Sequence, residues 1–242
     1  MSQDESVIYE MFVKMSCESC VSTIKSTLQN MDIITLDLAN ELVIVKTNVH
    51  GDDLVHALEN AGMEVRIIGA SSVDMSKLSE VPSSVGTLEE STAVVAEFKG
   101  EKYGHGEVMG VSRLIQTSST AALFQTTISG LRPDTEHSIF IHRSGVAGAE
   151  GPVYDRFPPS EPPAGSLASS VMSDNHGVLH FRTIVRNILV WDIIGRRIAI
   201  HDRSHLVASS ILARSAAVGA NHKQLCTCDG TTIWESPQND KF

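Results

Sequence analysis

The four cysteines of the chain fall in two tight pairs near its two ends: Cys17 with Cys20, and Cys226 with Cys228. A disulfide framework spreads its cysteines through the fold, yet the whole stretch between Cys20 and Cys226 holds none. Clusters of this kind point to metal or redox chemistry. The first pair sits in Lys14-Met15-Ser16-Cys17-Glu18-Ser19-Cys20, between a strand-like and a helix-like segment. The free N–H groups and dipole at a helix start stabilise anions, so thiolates are favoured there. The Cys-x-x-Cys spacing lets both sulfurs converge on one ion. Soft thiolates select Cu(I) and zinc; zinc asks for four ligands and this loop offers two, whereas Cu(I) is satisfied by two. A thioredoxin-like dithiol shares the strand–CxxC–helix placement, and an incidental structural pair is the plain alternative.

The second pair lies in Leu225-Cys226-Thr227-Cys228-Asp229-Gly230. In an extended chain residues i and i+2 point to one face, about 6.5 Å apart, near the upper limit for a disulfide. A bond between them would be strained and labile. The pair suits a movable two-sulfur clamp or an exchange centre better than a staple; idle thiols in a tail are the bland reading.

The elements that must position these groups follow from periodicity. Val7 to Lys14 reads as a strand. Val21, Ile24 and Leu28 line one helix face. Ile33–Leu38 and Leu42–Thr47 flank Ala39-Asn40-Glu41 as a hairpin. Asp52–Ala61 reads as a second helix ended by Gly62, and Val65–Ile68 as a last strand. The order is β-α-β-β-α-β, a ferredoxin-like α+β unit over 1–70. The Ser- and Glu-rich stretch 71–90 reads as a linker. Residues 91–219 look all-β, with strands over Val94–Phe98, Val108–Gln116, Ala122–Ile128, His137–His142, Val178–Val185 and Ile198–His201. Turn signals separate several of them, so a sandwich or barrel is expected. Five prolines between Gly148 and Gly165 make that stretch a long loop. Residues 220–242 read as a tail that orders only on docking.

Composition excludes several classes. Acidic residues (29) outnumber basic ones (19), which argues against nucleic-acid binding. No apolar run approaches the ~18 residues of a membrane span, so no membrane insertion is expected. The N-terminus lacks the pattern of a secretory signal, which leads to the expectation of a reducing, cytoplasmic location.

Met-x-Cys-x-x-Cys on this element order resembles the heavy-metal-associated domain of copper chaperones and copper pumps. Val190-Trp191-Asp192-Ile193-Ile194-Gly195-Arg196-Arg197, Leu212-Ala213-Arg214-Ser215-Ala216 and the CTCDGTTIWE run at Cys226–Glu235 resemble the copper chaperones for superoxide dismutase over nearly the whole chain. The resemblance implies an eight-stranded Greek-key barrel of Cu/Zn superoxide dismutase type for the middle domain. It implies Cu(I) held by Cys17 and Cys20, and Cu/Zn superoxide dismutase as a heterodimer partner. It also implies a tail pair, Cys226 and Cys228, that moves copper and exchanges thiols to leave the target with its intrasubunit disulfide. A homodimer and a copper importer that loads the protein complete the implied partners. A general thiol–disulfide oxidoreductase using the CxxC pair is the competing enzyme class.

This sequence departs from the dismutase pattern. Phe140 stands at the first histidine of the H-V-H motif and His142 at the second; His201 matches another copper histidine. The loop that should bring the zinc histidines has none, and Ser166 replaces the aspartate of G-D-L-G. These losses argue against both an active dismutase and zinc in the middle domain, and leave His142 and His201 as satisfied barrel histidines. Ser209 stands at the final-strand cysteine of the family's disulfide, whose loop partner is missing too, so the barrel is expected to hold by packing or pairing. The family's dimer contacts map to Gly145; Ile193, Ile194 and Gly195; and Ile211, Leu212 and Arg214. An apolar patch with a guanidinium is normal interface chemistry, although Ile211 and Leu212 could equally be core.

Overall fold

The structure is a computed structural model; it describes residues 6–72, 93–149, 151–156, 159–203 and 205–215. The expected linker lies almost wholly outside these residues, and the tail with Cys226 and Cys228 lies entirely outside them.

The N-terminal unit runs β1 (Val7–Val13), α1 (Glu18–Thr27), β2 (Asp32–Asp37), β3 (Leu42–Thr47), α2 (Gly51–Asn60) and β4 (Val65–Ser72). Its antiparallel sheet has the order β2-β3-β1-β4. Alternate residues of β1 (Val7, Tyr9, Met11 and Val13) share one core with Ile24 and Leu28 of the α1 segment and Leu54 and Leu58 of α2. The β2–β3 turn is fixed by the Asp37 carboxylate, which accepts from the N–H groups of Ala39 and Asn40. The last strand continues to Ser72, past the expected boundary at 70, because Ser71 and Ser72 pair with Ile8 and Val7 and complete the ladder.

The second unit is all-β, as its turn spacing suggests. It holds β5 (Ala93–Lys99), β6 (Met109–Ser118), β7 (Ala121–Ser129), β8 (Glu136–Ile141), β9 (Ser166–Met172), β10 (Leu179–Arg186), β11 (Arg197–Asp202), β12 (His205–Ile211) and β13 (Ala213–Ser215). Two sheets, β10-β7-β6-β5-β13 and β12-β11-β8-β9, face each other as a flattened barrel. The count exceeds eight because the last strand breaks at Leu212: β12 pairs with β11, then β13 crosses to β5. Besides the short β13, two strands escape periodicity. β9 (SLASSVM) is poor in large apolar residues and meets β8 through two register shifts. β12 is buried mainly through the small residues Ala208, Ser209 and Ser210.

The two units share a core. Ala93, Ile115 and Leu123 belong to the same buried cluster as the N-terminal unit, with Ile184 packed against it. Ala93, Ile115, Leu123 and Ile184 form one cross-strand row on the five-stranded sheet. The next row, Val95-Arg113-Gln125-Arg182, supplies polar anchors. Tyr9 Oη donates to Gln125 Oε1 at 2.7 Å, and the Arg113 guanidinium donates to Asp52 Oδ1 at 2.7 Å. His50, buried as the N-cap of α2, accepts from Asp52 N and meets the His180 ring at a tilt of 42°, with ring centroids 4.2 Å apart.

These contacts come from one pole of the N-terminal unit. Val7 pairs with both Thr47 and Ser72, so the start of β1, the end of β3 leading to α2, and the end of β4 lie together. The loop after Val13 leaves from the opposite pole. At about 3.3 Å per residue, the length of β1 sets that loop roughly 20 Å beyond the docked end.

Candidate functional site

Cys17 is the N-cap of α1, with extended backbone, and Cys20 lies in the first turn. Their sulfurs are 3.8 Å apart, too far for the ~2.05 Å of a disulfide. With metal–sulfur bonds of about 2.3 Å, both can reach an ion between them. Cys17 is exposed and Cys20 half-exposed. The Ser19 hydroxyl lies 2.9 Å from Cys17 Sγ. Hydrogen bonding from that hydroxyl, then from the backbone N–H groups of Cys20 and Ser19, lowers the Cys17 thiol to about 6. A thiolate at neutral pH is the form that binds soft metal.

The loop is braced from below. Met15 is buried in the core and anchors it against the sheet. Glu41, in the left-handed region at φ 53°, accepts from Val13 N through its carbonyl and from Met15 N through its carboxylate. Lys14 pairs with Glu64 at 3.2 Å beside the loop; the pair is exposed and contributes little stability. Sequence reading missed Glu41 as a brace, since a hairpin glutamate carries no signal of its own.

The dismutase-type positions are filled differently. His142 Nδ1 lies 3.0 Å from Gly151 O. The His201 ring sits between Phe140 and His142, with centroids 5.8 and 6.0 Å away. Among the described residues no group of three or more His, Cys, Asp or Glu side chains converges as a metal site. The proline-rich loop folds on a carboxylate instead. Asp155 accepts from the N–H groups of Arg156, Ser160 and Ala164 and from the Ser160 hydroxyl. Tyr154 is buried under the Arg196 guanidinium, 4.4 Å from the ring centroid.

The residues expected at the dimer surface divide into two groups. Ile193 and Leu212 are fully buried and belong to the barrel core. Leu212 is where the chain changes sheet, and its N–H and carbonyl are held by Arg196 O and Gly195 N. Gly145, Ile194, Gly195, Ile211 and Arg214 reach the surface. Gly145 and Gly195 touch so closely that a Cβ on Gly145 would stand 2.1 Å from Gly195 O and 3.3 Å from the Ile211 side chain. Val146, 64% exposed, and Ile211, 40% exposed, flank this contact as an apolar patch that motif reading only partly found.

A βαββαβ unit with an open dithiol at its free pole, fixed to a dismutase-type barrel, defines a two-domain metal-handling protein. The heavy-metal-associated domain family matches residues 10–64. A rice protein named copper chaperone for superoxide dismutase, chloroplastic, is 35% identical over 94% of this chain and 70% of its own length. The mouse copper chaperone for superoxide dismutase is 30% identical over 93% of this chain and 87% of its own. The Saccharomyces cerevisiae superoxide dismutase 1 copper chaperone is 27% identical over 92% and 91%. The chain belongs to the family of copper chaperones for superoxide dismutase.

Proposed function

We propose that this protein is a copper metallochaperone that carries Cu(I) on Cys17 and Cys20 and delivers it to copper-free Cu/Zn superoxide dismutase. The observation that carries the reading is the placement of the dithiol: a lowered thiol and its partner, 3.8 Å apart, open to solvent at the pole remote from the barrel. The barrel docks the target as a pseudo-symmetric heterodimer through Gly145, Ile194, Gly195, Ile211 and Arg214; the same patch serves a homodimer when no target is present. Cys226 and Cys228 receive copper one sulfur at a time; once copper has left, dioxygen takes two electrons and two protons from the pair as peroxide, and the resulting tail disulfide exchanges with two target thiols, leaving the target's intrasubunit disulfide and the tail pair reduced. Tethering raises their effective concentration to the mM range. On this reading the middle domain neither takes zinc nor dismutates superoxide, because Phe140 stands at the first histidine of the H-V-H motif and the loop that should bring the zinc histidines has none. The units are a metal-binding domain, a linker, a docking barrel and a carrier tail. A copper importer loads the first, in the cytoplasm.

The test is anaerobic gel filtration with apo superoxide dismutase, reading copper content and dismutase activity in the same fractions. Co-elution with copper transfer and gained activity is expected. Fast reduction of generic disulfides with no Cu(I) retained against a mild chelator would favour the oxidoreductase instead.

A further inference from the structure

Ser209, which stands at the final-strand cysteine position of the family's disulfide, and the Gly145 loop are joined through an arginine. Arg197 Nη1 donates to Ser209 Oγ at 2.8 Å. Its Nε and Nη2 both donate to Gly145 O, at 3.2 and 2.9 Å. The Ser209 N–H in turn donates to His105 Nε2 at 3.3 Å, so three separate segments converge on this point. The neighbouring Arg196 grips the same loop two residues earlier, donating to Arg143 O, while His142 N donates to Arg197 O at 2.8 Å. Gly145 is the residue packed against Gly195 and Ile211, so whatever fixes its carbonyl fixes the centre of the docking patch.

We propose that Arg197 is the positioning residue of the docking surface, a guanidinium tie that holds the Gly145 loop to the final strand without a covalent bond. The chemistry suits the task. A guanidinium presents a rigid fork of donors, and one fork can serve a carbonyl and a hydroxyl together. A lysine at the same position would replace that rigid fork with a compact point charge on a flexible stem. Charge-assisted hydrogen bonds are stronger than neutral ones. The tie also has no redox chemistry, so the docking face keeps its shape in the presence of thiols. That is the condition under which a partner still lacking its own disulfide must be recognised. This inference rests on the docking role proposed above.

The test uses the full chain as wild type, Arg197→Met, Arg197→Lys and Ser209→Ala. Amide hydrogen exchange of Val146 to Ala149, with and without millimolar dithiothreitol, is compared with binding to copper-free, reduced superoxide dismutase. Wild-type exchange should ignore the reductant. Arg197→Lys and Arg197→Met should speed it at least tenfold and weaken binding at least tenfold. Ser209→Ala, which keeps both bonds to Gly145, should stay within a few-fold of wild type. Cu(I) uptake by Cys17 and Cys20 should be the same in all four. Arg197→Lys keeps charge and bulk, so it covers the case in which the methionine variant fails to fold. Unchanged loop exchange in Arg197→Lys, or binding within twofold of wild type, overturns the proposal. If wild type itself does not bind the dismutase, the docking reading fails, and the exchange arm still decides whether Arg197 ties the loop.

Discussion

His50 makes the junction between the two units sensitive to acid. Its ring is buried between α2 and the barrel. Asp52 and Asp53 of α2, Arg113 of β6 and His180 of β10 face it. Burial is the dominant influence and holds the imidazole down, from 6.5 to about 4. The Asp52 and Asp53 carboxylates oppose that effect; the His180 and Arg113 charges reinforce it. Neutral His50 accepts from Asp52 N, which a doubly protonated ring cannot do. The folded state therefore favours the neutral form. Its contribution is fully present above pH 6.5 and is lost as the pH falls towards 4. Each tenfold drop in proton affinity on folding is worth about 1.36 kcal/mol, so the loss amounts to about 3 kcal/mol. His50→Asn removes the titration but keeps a good N-cap acceptor. Chemical denaturation of both proteins between pH 7 and pH 4 should give similar stabilities at pH 7. Wild type should then lose about 3 kcal/mol more than the variant by pH 4. His105, His137 and His201 are also held down by burial, but they are present in both proteins and cancel in the difference. Asp52 is itself pushed up by burial and pulled further down by Arg113, so its own loss falls below this window. Parallel curves for the two proteins would refute the reasoning.

Three further outcomes are expected. Alkylation of Cys17 by iodoacetamide should rise with pH through a midpoint near 6, and Ser19→Ala should move that midpoint upward; mass spectrometry of the N-terminal peptide reads both. Replacing Cys226 and Cys228 with serine should abolish activation of the dismutase while leaving co-elution intact, as read by activity and gel filtration on the same sample. Gly145→Ala would force a methyl group to 2.1 Å from Gly195 O. Overpacking of about 1–3 kcal/mol predicts about a five- to 150-fold loss of dismutase binding, measurable by titration calorimetry, with Cu(I) uptake unchanged.

The N-terminal unit was legible in the sequence because its signals are local. Apolar residues recur at helical spacing in both helices, and a three-residue turn separates two short β-branched runs. The dithiol was legible for the same reason: type and spacing alone define it. The docking patch was legible only by resemblance, and Ile193 and Leu212 show the limit. Leu212 follows the exposed Ile211 and has the same apolar character. Strand alternation turns Ile211 outward and Leu212 inward, on the parity of the core residue Ala208, and the motif does not say which parity faces the core. The shared core between the units was not legible at all. Ile115, Leu123 and Ile184 alternate as any strand residues do, and nothing in a strand pattern says what covers its outer face. Asp52 and Arg113 are 61 positions apart, and their pairing exists only once both units have folded. Arg197 escaped notice because an arginine beside another arginine reads as ordinary surface charge.

The pole that grips the barrel and the pole that bears the thiols are opposite ends of one small rigid body, and this imposes a division of labour on transport. A cargo pinned about a strand's length away from the recognition face cannot be presented by a slight tilt; either the whole body lets go or something else fetches the ion. Cys226 follows Ser215, the last described residue of the barrel, by 11 positions. Fully drawn out at up to ~3.5 Å per residue, that tether spans nearly twice the length of β1. If the tail pair acts as proposed, the loading site can stay in place while Cys226 and Cys228 make the round trip.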